Sequence, residues 1–170
     1  MTSSIGHHLQ REAITSGITN ALINGLIAWL LLRGGPALGW SGPSSFVVDL
    51  FATAFILPFI VALIVIPLQR AALHKGKLPA LTRKSDSLLA ALVRRFPRSL
   101  ALCALGFGLL GALVFAPVAL VLLASAGVTS INPLPYAIFK GLWAGAVAAF
   151  LVIPMIVYAL EGAEQPSVKV

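Results

Sequence analysis

Polar residues withdraw from four long stretches of the chain and gather in the links between them. Residues 13–32, 46–68, 100–124 and 136–160 are each apolar over about 20 positions or more, the length a helix needs to cross a hydrocarbon core about 30 Å thick. The runs are continuous rather than alternating, so they predict helices and not the strands of a membrane barrel. Two links, 33–45 and 127–135, are short and rich in Gly and Pro, and the first carries Trp40, a residue type favoured at membrane interfaces. Both predict tight turns. The remaining link, 69–99, is long and basic. Within it Leu88, Leu89, Leu92, Val93 and Phe96 fall at helical spacing, flanked by Lys84, Arg94 and Arg95. Ser85 as a start and Pro97 as a stop predict an amphipathic helix over 85–96. The pattern as a whole predicts an all-α, polytopic membrane protein with four transmembrane helices, forming a single membrane domain over 1–170.

Composition excludes the soluble alternative. Apolar residues make up 59% and charged residues 10%, against about 45–50% and about 25% in ordinary globular proteins. A soluble fold cannot cover its surface from so small a polar supply. Cys103 stands alone inside an apolar run, so no intrachain disulfide and no CxxC zinc or redox motif is available. No small-residue cleavage site follows the first apolar run, which predicts a retained helix rather than a removed leader.

Charge sets the orientation. The net charge is +7, and eight of the twelve Lys and Arg lie between Arg70 and Arg98, between apolar segments. Nucleic-acid binding calls for a basic patch on a soluble fold, so no nucleic acid is expected. Counted by side, Arg11, the loop cations and Lys169 make ten, whereas Arg33 and Lys140 make two. The positive-inside rule then places both termini and the basic loop in the cytoplasm, with the inner (cytoplasmic) membrane of a bacterium as the expected home. The amphipathic helix is expected on the anionic lipids of the inner leaflet through Lys84, Arg94 and Arg95, docking of a protein partner being the alternative.

The second and fourth spans share a phrase, ALIVIP at 62–67 and AFLVIP at 149–154, and at the same offset residues 18–27 lie over 105–114 with apolar matching apolar. This suggests two copies of one helical hairpin in parallel orientation, over 13–75 and 99–162. The hairpin resembles two-span bacterial membrane domains of unknown function, in which an apolar second helix also ends in a proline near basic residues, as at Pro67 and Arg70. That resemblance implies the hairpin fold for both halves and carries no activity with it.

Candidate functional residues are few. Ser16, Asn20 and Asn24 recur every four residues as a polar stripe on the first span. Gly17, Ala21, Gly25 and Ala28 occupy the neighbouring arc, and Ile18, Leu22, Leu26 and Trp29 are left to lipid. The stripe reads either as hydrogen-bonding glue between helices or as the lining of a solute path. Gly141 and Gly145 form a GxxxG, and Gly108 lies on a small-residue face of the third span with Ala104, Gly111 and Ala112, so close helix pairing is expected within the chain or across a dimer. Pro58 and Pro117 lie well inside their spans and predict kinks. Asp49 and Lys140 belong at the same end of the bundle, where an ion pair between them is geometrically available, and an ionisable residue at membrane depth is a functional candidate. Lys140 has the alternative of snorkelling to water. His7, His8 and His74 fall outside the spans, and neither an HExxH nor a Ser-His-Asp set is evident. No catalytic residue, metal or cofactor is therefore expected. Two function classes remain: a small homo-oligomeric transport or permeation protein, and a non-transporting scaffold, assembly factor or accessory subunit bound to another membrane protein.

Overall fold

The computed structural model describes residues 2–78 and 88–161. In chain order the elements are α1 (Thr2–Leu32), β1 (Leu38–Gly39), α2 (Phe46–His74), α3 (Leu88–Val93), α4 (Leu100–Leu110), a π-helical turn (Gly111–Phe115), α5 (Ala116–Ser125), β2 (Ser130–Ile131) and α6 (Pro133–Glu161). α4, the π turn and α5 continue as one rod, so the described residues contain four helices long and apolar enough to cross a membrane. The architecture is all-α and polytopic. Lys84, Ser85 and Lys169 lie outside the described residues.

The helices run past their apolar stretches. α1 has 31 residues and α2 and α6 have 29 each. At 1.5 Å per residue each is about 45 Å long, more than the hydrocarbon core requires. α1 is already helical at Thr2, with no proline among the polar residues before Ala13. α2 ends where Gly76 turns left-handed (φ +68) and its N–H bonds to the Leu73 carbonyl at 2.9 Å. Glycine takes that backbone conformation without steric cost.

The irregularity in the third rod has a local cause. Pro117 has no N–H to give the Leu113 carbonyl, and its ring would crowd that carbonyl in a regular α-helix. The backbone widens into the π turn at Gly111–Phe115, just before the proline. In contrast, Pro58 and Pro67 of α2 and Pro154 of α6 stay inside continuous helices.

α2 and α6 form the centre, with α1 laid against α6 and the α4–α5 rod against α2. α6 is the most buried span, with 61% of its membrane window inside the protein, against 6% for α1. The α1–α6 contact is antiparallel and made by small residues. A Cβ built on Gly145 would stand 2.7 Å from the Gly17 carbonyl oxygen, and one on Gly141 2.7 Å from that of Ala21. Backbones approach this closely only where side chains are absent. Gly108 meets Phe55 of α2 in the same manner. Replacing Gly145 with valine is expected to lever α1 away from α6 at a cost of about 1–3 kcal/mol. Denaturant titration in mixed micelles would read the loss, and an unchanged midpoint would contradict the contact.

Each end of the bundle is closed differently. At the end bearing the short links, here the turn end, β1 pairs antiparallel with β2 (Leu38 with Ile131, Gly39 with Ser130). Trp40 donates from Nε1 to the Val128 carbonyl at 2.7 Å and packs edge-on to Phe46. This ties the two links together and sinks Leu38 among Phe46, Leu50 and Tyr136.

At the loop end, α3 docks on the bundle. Val93 is fully buried, and Leu89 and Phe96 pack on the same core. Phe96 stacks on Phe107 with ring centroids 4.6 Å apart. Tyr158 donates to the Pro97 carbonyl at 2.6 Å, and the Arg70 guanidinium lies over the Tyr158 ring. Most of the apolar face expected to rest on lipid thus meets the chain's own core, with Leu92 left exposed.

Candidate functional site

Asp49 lies in the first turn of α2, where a negative charge complements the helix N-terminus. Ser45, the cap residue, donates its hydroxyl to the Trp40 carbonyl at 2.9 Å, and its oxygen accepts no N–H from the first turn of the helix. From α6, Tyr136 and Lys140 stand one turn apart on the face turned to α2. Lys140 Nζ donates to both Asp49 carboxylate oxygens at 2.7 Å, and the Tyr136 hydroxyl donates to Oδ2 at 2.5 Å. Lys140 is only 8% exposed, so its amine is turned inward to Asp49 instead of snorkelling. Asp49 keeps 36% of its side chain exposed. A charge-assisted bond to a bidentate carboxylate is among the strong polar contacts, and Tyr136 adds a third donor.

The exposed side of Asp49 faces a crevice of about 400 Å³. α1 contributes Ala28 and Leu31 to its wall, residues 42–45 the rim, and Val48, Asp49 and Ala52 another wall, with Lys140 also in the lining. It lies where α1 and α2 stand apart at the turn end. At the loop end α1 returns to α2, with His8 Nε2 3.0 Å from Gln69 Oε1, and Leu9 and Ala13 of α1 pack with Val65 of α2 on the same α6 residues, Val152, Ile156 and Leu160. His8 therefore sits inside α1 and near a buried Gln69, although the sequence places it outside the apolar run.

The polar stripe of α1 runs beneath this crevice. Gly25 packs on Gly141, which sets the adjacent Asn24 at the depth of Lys140. Asn20 and Ser16 lie one and two turns deeper. Their amides do not reach another helix among the described residues. Asn24 Nδ2 donates to the Asn20 carbonyl and Asn20 Nδ2 to the Ser16 carbonyl, both at 2.9 Å. Lipid cannot satisfy an amide, so each side chain bonds back along its own helix.

The structure thus joins Asp49 and Lys140, sets Asn24 level with them, and leaves Asn20 and Ser16 further down α1. The glycines at 17, 25, 141 and 145 meet in the α1–α6 contact, and Gly108 faces α2. Arg94, 3.5 Å from Glu161, and Arg95 lie exposed at the loop end. Gly111, expected on a small-residue face of the third span, meets the Ala54 carbonyl of α2, whereas Tyr136 was not singled out from the sequence. Tyr136 was signalled by its place four residues before Lys140, which puts both on one helix face. Among the described residues no group of three His, Cys, Asp or Glu is placed to hold a metal ion.

No known family, curated protein or solved structure matches the chain.

Proposed function

We propose that this protein is a small homo-oligomeric transport or permeation protein of the bacterial inner membrane, handling a small polar solute through the crevice at Asp49. Both termini and the basic loop are cytoplasmic in this reading, because the cations concentrate there. The crevice then opens outward, and Arg94 and Arg95 meet the anionic inner leaflet. The observation that carries the proposal is the paired carboxylate in the crevice, with an amide of α1 at its level and a second amide a turn deeper. Polar groups at that depth are costly unless used.

A duplicated hairpin fits the same arrangement. Asp49 and Tyr136, which touch across the α2–α6 contact, are 87 residues apart, the offset that aligns the two sequence halves. A two-fold relation between parallel hairpins brings equivalent positions together at its axis.

The second reading, a non-transporting accessory subunit, is favoured by one observation: Asp49 already accepts three hydrogen bonds, as a structural lock would. Flux decides between them. Proteoliposomes of the wild type, Asp49→Asn, Asn24→Leu and Asn20→Leu would be compared with empty vesicles for entry of protons, potassium, guanidinium and urea by stopped-flow fluorescence or light scattering. The proposal expects faster entry of at least one probe, slowed several-fold in Asp49→Asn and Asn24→Leu. Wild-type vesicles as tight as empty ones to every probe would abandon transport in favour of the accessory reading.

A further inference from the structure

The most exposed polar surface at membrane depth lies on α1. This helix is the least buried span and the least apolar of the four. Its Gly and Ala face is already spent on α6, so self-association through that face is blocked. What remains outward is a seam. Ser16, Asn20, Ile23, Ile27 and Leu30 alternate in steps of four and three residues, the spacing that keeps one stripe of a helix against a partner helix. Ile23 is 50% exposed, Ile27 48% and Leu30 51%. Nothing else in the described chain covers them.

Asn20 marks the polar position of this seam. One amide hydrogen is held by the Ser16 carbonyl. Its second hydrogen reaches only the Ser16 hydroxyl, at 3.5 Å and the long limit of a hydrogen bond, and its carbonyl oxygen has no partner among the described residues, while lipid supplies neither a donor nor an acceptor. An asparagine is self-complementary, since each amide both donates and accepts. A second asparagine at the same depth satisfies both remaining groups at once. Two-fold symmetry along the membrane normal supplies that asparagine from an identical chain, and a lone Asn in an apolar four-three seam also fixes register and the number of strands.

We infer that two copies of this protein associate in parallel through α1, with Asn20 bonded to its counterpart and Ser16, Ile23, Ile27 and Leu30 forming the rest of the seam. The inference rests on the oligomer named in the proposed function and gives its interface. Its test reads association instead of flux, so the two fail separately.

Single cysteines placed along α1 of the full chain, in a Cys103→Ala background, test the seam in native membranes. Oxidation is expected to give a covalent dimer from Asn20→Cys, Ile23→Cys and Ile27→Cys, and none from Ile18→Cys, Leu22→Cys or Trp29→Cys on the opposite side. Cross-linking from the second set, or from no position, overturns the interface. The amide is tested by energy transfer between labelled chains in liposomes. Asn20→Leu is expected to weaken association about 5–30-fold, and Asn20→Gln to keep most of it. Undiminished association in Asn20→Leu overturns the role of the amide, and size-exclusion elution of that variant verifies that it remains folded.

Discussion

Replacing Gly111 with alanine, a change of one methyl group, is expected to lower stability by about 3 kcal/mol or more, the upper end for overpacking a tight contact. A Cβ at this position would stand 2.0 Å from the Ala54 carbonyl oxygen, 2.8 Å from Pro58 Cγ and 3.1 Å from the Ala54 carbonyl carbon. None of these atoms belongs to a side chain that can swing aside. The α4–α5 rod would have to leave α2, or the π turn would have to rewind against Pro117. Gly106 supplies the control. Its Cβ would meet the Phe96 ring at 2.8 Å, no closer than the Pro58 contact of Gly111, and what it meets is the far end of a side chain, which can shift where a backbone carbonyl cannot. Mixed-micelle denaturation should therefore separate the two alanine variants clearly. Equal losses, or a Gly111→Ala protein as stable as the wild type, would show that the α2–α4 approach is looser than described.

The second large effect belongs to the ion pair, and it is asymmetric. Asp49→Leu leaves the Lys140 ammonium nine-tenths buried without an acceptor, a change that costs about 3–5 kcal/mol when a buried partner is stranded. Lys140→Met strands Asp49 instead. That carboxylate is 36% exposed, keeps the Tyr136 hydroxyl, and takes water from the crevice, so the loss is smaller. In the double variant Asp49→Leu/Lys140→Met no charge remains to be stranded, and stability is expected to return close to the wild type. The order of the three midpoints is the test. A double variant no better than Asp49→Leu would mean that the pair is not coupled.

Together with the flux comparison, the double variant separates lock from pathway. A lock restored by an apolar pair should restore everything the protein does. A carboxylate that handles solute cannot be replaced by leucine, however stable the product.

Much of the fold was legible because lipid imposes a simple rule. A segment in hydrocarbon must satisfy its peptide groups internally, so a continuous apolar run of sufficient length has one stable form. The four spans were readable on that ground. Their ends were not, because α1 and α2 extend into polar sequence where no rule of hydrophobicity applies, as at Thr2 and His74. The Asp49–Lys140 pair was foreseeable from their shared end of the bundle. Its third member, Tyr136, was hidden because a tyrosine near a membrane interface needs no partner to be explained. The amphipathic stretch around Val93 was visible, but periodicity shows only that one face is apolar. Whether lipid or protein covers that face depends on where the ends of α4 and α6 stand.

By itself, then, the sequence determined that the chain is α-helical and polytopic, and it marked which helix faces are small and which residues carry charge. Hydrophobic length and residue size are local properties, and each position carries them alone. Only the tertiary structure decided that the glycines of α1 and α6 meet one another, that Pro117 is accommodated by a π turn facing Ala54, and that Asp49 shares its carboxylate between Lys140 and Tyr136. Those facts depend on which backbone faces come within contact distance. In a bundle of nearly equivalent apolar helices, that is settled by fit among the helices and by no single segment.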